Sequence, residues 1–88
     1  MLKSGAEFMA NGNVGAARKL YQAAAEAGNP AAAFALAEAF DPLVIARLGT
    51  KGGIVANIAL ANRWYETAKR LGSPAAPERL NRLARLPE

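Results

Sequence analysis

The side chains able to move a proton are few in this 88-residue chain. The acids are Glu7, Glu26, Glu38, Asp41, Glu66, Glu78 and Glu88, scattered along the sequence, with no histidine and no cysteine among them. That inventory excludes imidazole bases, thiolate nucleophiles, disulfides and the usual zinc sites. Only Glu38 and Asp41 lie one helical turn apart. Asp41 precedes a proline, so it reads as a helix cap, and Glu38 reads as a solvated side chain. No serine sits in a recognisable nucleophile setting, so no catalytic residue, cofactor or metal ligand is assigned, and the chain is not expected to be an enzyme.

Two further patterns invite chemistry. Gly49-Thr50-Lys51-Gly52-Gly53 resembles a phosphate-binding loop in composition. Its Thr and Lys stand in the wrong order and no strand precedes it, so it reads as a connection. Arg79, Arg82 and Arg85 cluster near the end and supply part of a net charge of +4. They alternate with Leu80, Leu83 and Leu86, the pattern of an amphipathic helix with one wet face, and stacking aromatics are not interleaved with them. Nucleic-acid binding is therefore the remote reading.

The elements that would carry these residues are helices. Alanine is abundant, and it is the best helix former and the smallest spacer between packed helices. No apolar run reaches the length of a membrane span, and Met1-Leu2-Lys3-Ser4-Gly5 lacks the apolar core of a signal peptide. Shifting the chain by 44 residues matches Val14 to Ile58, Ala17 to Ala61, Leu20 to Trp64, Tyr21 to Tyr65, Ala24 to Ala68, Gly28 to Gly72 and Pro30 to Pro74. Apolar residues within each segment recur at three- and four-residue steps, which draws one stripe along a helix. Asn13 and Asn57 stand at N-cap positions. Gly28-Asn29-Pro30 and Gly72-Ser73-Pro74 read as helix stop, new N-cap and proline at the first helical position.

This punctuation predicts five main antiparallel helices over about 2–11, 14–27, 30–40, 58–71 and 75–85. Residues 41–56 form the one long connection, with a short helical turn over Leu43 to Leu48. The single helical-repeat domain 1–88 divides into a first hairpin (1–28), a long second repeat (29–72) and a C-terminal capping helix (73–88). Phe8, Phe34, Phe40, Tyr21, Trp64 and Tyr65 are expected to pack between hairpins, with the Tyr65 hydroxyl reaching a carbonyl or water.

Ala32, Phe34, Leu36, Ala37 and Phe40, followed by Gly53-Ile54, Asn57, Ala61, Trp64-Tyr65, Ala68 and Gly72, resemble the helix-one and helix-two patterns of the Sel-one-like repeat family. That family is a branch of the tetratricopeptide repeat superfamily. Gly5, Phe8, Gly12-Asn13, Ala17, Tyr21 and Ala24 resemble the general tetratricopeptide pattern. The chain departs from the family in its 44-residue spacing, with the excess in Asp41 to Thr50, and in Lys51, where a glycine is common.

The resemblance implies an all-α, right-handed α-α superhelix whose repeat-signature positions are Phe8, Gly12, Ala17, Tyr21, Ala24, Gly28, Pro30, Leu36, Phe40, Ala61, Trp64, Tyr65, Ala68, Gly72 and Pro74. It implies a scaffold that binds a protein or peptide through the inner-face positions Leu2, Ala6, Met9, Phe34, Glu38, Glu78 and Arg82. A structural cap or self-associating piece of a longer array is the alternative, because about three repeats are usually needed and this chain holds about two and a half. The first helix shows no obvious polar outer face, so a homodimer or missing upstream residues are expected to cover it. The family's distribution inclines the setting toward the bacterial periplasm or envelope.

Overall fold

Glycine and asparagine set the helix ends. The computed structural model describes residues 2–48 and 55–86, and every described residue in regular structure is helical. The Gly49–Gly53 loop, Ile54 and Glu88 lie outside the described residues, as does the side chain of Leu2. The helices are α1 (Leu2–Ala10), α2 (Val14–Glu26), α3 (Pro30–Glu38), α4 (Pro42–Leu48), α5 (Ile58–Leu71) and α6 (Ala76–Ala84).

Gly28 and Gly72 adopt left-handed φ of 93° and 107°. At each, the next amide reaches back to close the helix: Asn29 N–H donates to the Ala24 carbonyl at 3.2 Å and Ser73 N–H to the Ala68 carbonyl at 2.8 Å. That geometry satisfies carbonyls the helix end would leave free, and a β-carbon would strain it. Three asparagines start helices in one way. The Oδ1 atoms of Asn13, Asn29 and Asn57 accept from the amides of Ala16, Ala32 and Leu60 at 3.3, 3.1 and 3.0 Å.

The helical turn expected over Leu43 to Leu48 is a full helix over residues 42–48, which brings the described residues to six helices. Asp41 caps α4 and Pro42 occupies its first position, where a missing amide costs nothing. Ser73-Pro74 does not repeat the Asn29-Pro30 device. α6 starts at Ala76 after a turn, with no side-chain cap. Pro77 explains the delay: had Pro74 opened the helix, Pro77 would have lacked the amide that bonds the Ser73 carbonyl, and its ring would have met that carbonyl.

Consecutive helices pack in pairs, α1 on α2, α2 on α3 and α5 on α6, while α3 packs directly on α5 with α4 set aside. α3 lies between two neighbours, so its residues Ala32, Ala33, Leu36 and Ala37 are all buried. A helix apolar nearly all round belongs in such a place. The core is mostly alanine, including Ala17, Ala24, Ala61, Ala68 and Ala76, with Tyr21, Leu36, Tyr65 and Leu83 as its large members. Burial recurs along the 44-residue register. Ala17 and Ala61 are both sealed, Tyr21 and Tyr65 are both buried, and Leu20 and Trp64 are both half-buried; Val14 is buried but its counterpart Ile58 is 43% exposed.

Small residues at α1 serve the same close packing. A β-carbon on Gly5 would sit 2.4 Å from Cε1 of Tyr21, so the ring lies directly on the α1 backbone. Ser4 and Glu7 of α1 are exposed one turn apart, beside the exposed Ala6 and Ala10.

Candidate functional site

The chain's most connected polar side chains meet where α3, α4, α5 and α6 converge. Asp41, only 1% exposed, spends its two carboxylate oxygens on different partners. Oδ1 accepts from the Leu43 amide at 2.8 Å, and Oδ2 accepts from the Tyr65 hydroxyl at 2.7 Å. Arg79 Nη1 then donates to the Tyr65 oxygen at 3.2 Å and to Glu38 Oε2 at 3.0 Å. The Arg79 guanidinium also lies over the Phe34 ring, 5.0 Å from its centroid. Glu38, Arg79, Tyr65 and Asp41 thus form one alternating chain of charge and hydroxyl tying four helices together.

Three sequence expectations are corrected there. Glu38 is paired and half-buried, not solvated. Arg79 faces inward, so only Arg82 and Arg85 of the terminal arginines are exposed. The Tyr65 hydroxyl finds a carboxylate where a carbonyl or water was expected. Asp41, just past the end of α3 where α5 packs on it, gives the buried Tyr65 hydroxyl an acceptor. Glu38 and Asp41 could be paired from their spacing, but Tyr65 and Arg79 carried no sequence signal for joining them.

Burial and the Asp41 hydrogen bond raise the pKa of Tyr65 well above the usual phenol value, against the smaller opposing pull of Arg79. Burial works against the charged form of Arg79, yet its bond to Tyr65 and the charge of Glu38 outweigh this and its pKa is raised. For Tyr65 the sign of the pH dependence follows directly. An unfolded tyrosine ionises near pH 10, whereas folded Tyr65 keeps its proton. Its contribution is fully present below pH 10 and falls as pH rises, with a limiting slope of about 1.4 kcal/mol per pH unit. Urea midpoints at pH 8.5 and pH 11 should show the stability gap between wild type and Tyr65→Phe shrinking by about 1 kcal/mol. Tyr21, whose pKa burial and Glu38 also raise, is present in both chains and cancels. A gap independent of pH would refute the assignment.

A groove of about 290 Å³ opens beside this network, lined by Ala6, Met9 and Ala10 of α1, Tyr21 of α2, Ala35 and Glu38 of α3, and Val44 and Arg47 of α4. Its lining is mainly apolar, with Tyr21, Glu38 and Arg47 as its polar members. At the low end of the roughly 300–1,000 Å³ range of small-molecule sites, it suits a side chain or two better than a cofactor.

The structure brings together three of the sequence-predicted binding residues, Ala6, Met9 and Glu38, in this groove. Phe34 is packed against Tyr65, with ring centroids 5.4 Å apart, and so serves the core between α3 and α5. Glu78 and Arg82 form an exposed ion pair on α6, beside Asn81 and Arg85 in a separate open depression. The backbone of Leu2 opens α1, and its side chain is outside the described part. Sequence reasoning missed Ala10, Tyr21, Ala35, Val44 and Arg47 as groove residues; the last two sit in the segment read as a connection.

Another residue without a sequence signal is Arg18. Its Nε and Nη2 donate to the Ala39 carbonyl at 3.0 and 2.8 Å, Nη2 also donates to the Val55 carbonyl at 2.9 Å, and the guanidinium stacks 4.1 Å from the Phe40 ring centroid. One side chain therefore bridges the two ends of the excursion that carries α4. Burial lowers its pKa, but a guanidinium stays charged throughout the ordinary pH range.

Among the described residues, no group of three or more acidic side chains is placed to hold a metal ion, and no helix is long and apolar enough to cross a membrane. Compared with known proteins, the chain matches no family model, no curated protein and no solved structure.

Proposed function

We propose that this chain is a protein-interaction module of the helical-repeat type, with no catalytic chemistry of its own, that takes a peptide segment of a partner protein into the groove between α1, α2, α3 and α4. The groove carries the reading: four helices converge on one mainly apolar depression, and it is edged by a carboxylate and a guanidinium. Apolar anchoring with a few placed polar groups is how helical surfaces hold peptides. The finer architecture belongs to the same proposal. Pairwise packing of successive helices and the recurring burial along the 44-residue register support a right-handed superhelical repeat in which α4 is an insertion. Such an array presents rigid surfaces and leaves recognition to the side chains lining them.

Peptides selected from a displayed random library against the whole chain test the groove. The selected peptides should lose affinity by about tenfold or more when Ala10, exposed on the groove wall, is replaced by tryptophan, a loss of at least about 1.4 kcal/mol. Circular dichroism would confirm that Ala10→Trp keeps its helices. Peptides that bind both chains equally, or a library that yields no binder, would overturn the groove assignment.

A further inference from the structure

We propose that the groove selects peptides in which an aliphatic side chain is closely followed by a lysine or arginine, with the cation meeting Glu38. This rests on the groove reading above and adds the chemistry of its occupant. Ala6, Met9, Ala10, Ala35 and Val44 offer apolar surface without hydrogen-bond donors or acceptors in their side chains, so the anchor must be apolar. Specificity then falls to the polar edges.

The two edges differ in strength. Glu38 is the last residue of α3 and its side chain is 26% exposed. Only its Oε2 is engaged, by Arg79, and among the described residues Oε1 accepts no hydrogen bond. A carboxylate oxygen left open beside an apolar surface, at the helix end where backbone carbonyls carry partial negative charge, favours a cation. Arg47, contributed by α4, also lines the groove and is exposed, so water screens any pair it forms and limits it to about 0–1 kcal/mol. Its effect is to repel a cation from the α4 side, which fixes the direction in which the peptide lies. Arg79 already offsets much of the Glu38 charge, so the choice of ligand charge rests on the open Oε1 as an acceptor for a charged donor.

The test uses the whole isotope-labelled chain at low ionic strength and two capped peptides, acetyl-Ala-Leu-Ala-Lys-Ala-amide and the same sequence with Glu in place of Lys. The Lys peptide should shift the amide resonances of Met9, Ala10, Ala35 and Val44 and bind about tenfold more tightly than the Glu peptide, the effect of one charge-assisted hydrogen bond. In Glu38→Gln, which retains an oxygen for Arg79, the preference should fall below about threefold. If both peptides shift these resonances with equal affinity, the groove stands and the charge preference is wrong. A preference surviving in Glu38→Gln also overturns it. If neither peptide moves these resonances, the groove reading fails and this inference fails with it.

Discussion

Asp41→Ala is expected to lower the unfolding free energy by about 3 kcal/mol, a large share of the roughly 5–10 kcal/mol that holds a domain of this size together. Two losses add. The N-terminus of α4 loses the oxygen that accepts from Leu43, and removal of such a cap costs about 1 kcal/mol. The Tyr65 hydroxyl, wholly buried, loses the acceptor of its 2.7 Å bond, and an unsatisfied buried donor costs about 1–3 kcal/mol. Arg79 keeps Glu38 but loses the hydroxyl's fixed orientation. Asp41→Asn keeps one oxygen for the Leu43 amide but turns an NH2 donor toward the Tyr65 oxygen, so the hydroxyl loses its acceptor while the cap stays, and it should cost about 2 kcal/mol. Urea unfolding followed by fluorescence of Trp64, the only tryptophan, reads both variants. Asp41→Ala and Asp41→Asn costing the same would mean that the Tyr65 contact, not the cap on Leu43, carries the whole effect. A cost for Asp41→Ala below about 1 kcal/mol would remove the network from the stability of the fold.

The reason Asp41 could be read only halfway from the sequence is instructive about what periodicity encodes. Its capping role follows from Asp41-Pro42 alone, because the partner amide is two residues away. Its bond to Tyr65 depends on how α5 packs on α3, a relation between residues 24 apart in sequence. Local signals behaved in the same way elsewhere. Asn13, Asn29 and Asn57 cap, and Gly28 and Gly72 close helices, because each acts within five residues. Ser73-Pro74 misled because Pro77, three residues further on, overrides it. The groove was half legible for a similar reason: Ala6, Met9 and Glu38 lie on helices with clear stripes, whereas Val44 and Arg47 come from a segment too short for its periodicity to show. Long side chains such as Arg18 and Arg79 were the least legible. Their heads lie several ångströms from their backbones, so helical position alone does not say whether they end in water or on a buried carbonyl.

Arg18→Ala should cost about 2 kcal/mol, and it should do so with a local signature that distinguishes it from Asp41→Ala. The charged donor bridges two backbone carbonyls, Ala39 at the end of α3 and Val55 before α5. Hydrogen bonds to charged groups contribute about 1.5–3 kcal/mol, and partial exposure of this side chain sets the lower part of that range. Its stacking on Phe40 adds to the same contact. Those bonds, with the Asn57 amide on the Phe40 carbonyl at 2.8 Å, hold together the base of the excursion that begins at Phe40. Closing such a loop costs entropy that its own residues do little to offset, so the base must be held from outside it, by α2. Without Arg18 the amides of Ile45 and Asn57 should exchange with solvent faster, while those of α2 and α3 change only as far as global stability falls. Arg18→Lys should restore less than half of the loss, because a compact ammonium lacks the planar fork that donates twice to Ala39 while reaching Val55, and it cannot stack flat on a ring. Full rescue by lysine, or exchange rates unchanged at Ile45 and Asn57, would show that the excursion is held by its own packing. Because α4 carries Val44 and Arg47, one wall of the groove depends on this clasp, and peptide affinity should weaken in Arg18→Ala even though Arg18 is not part of the groove lining.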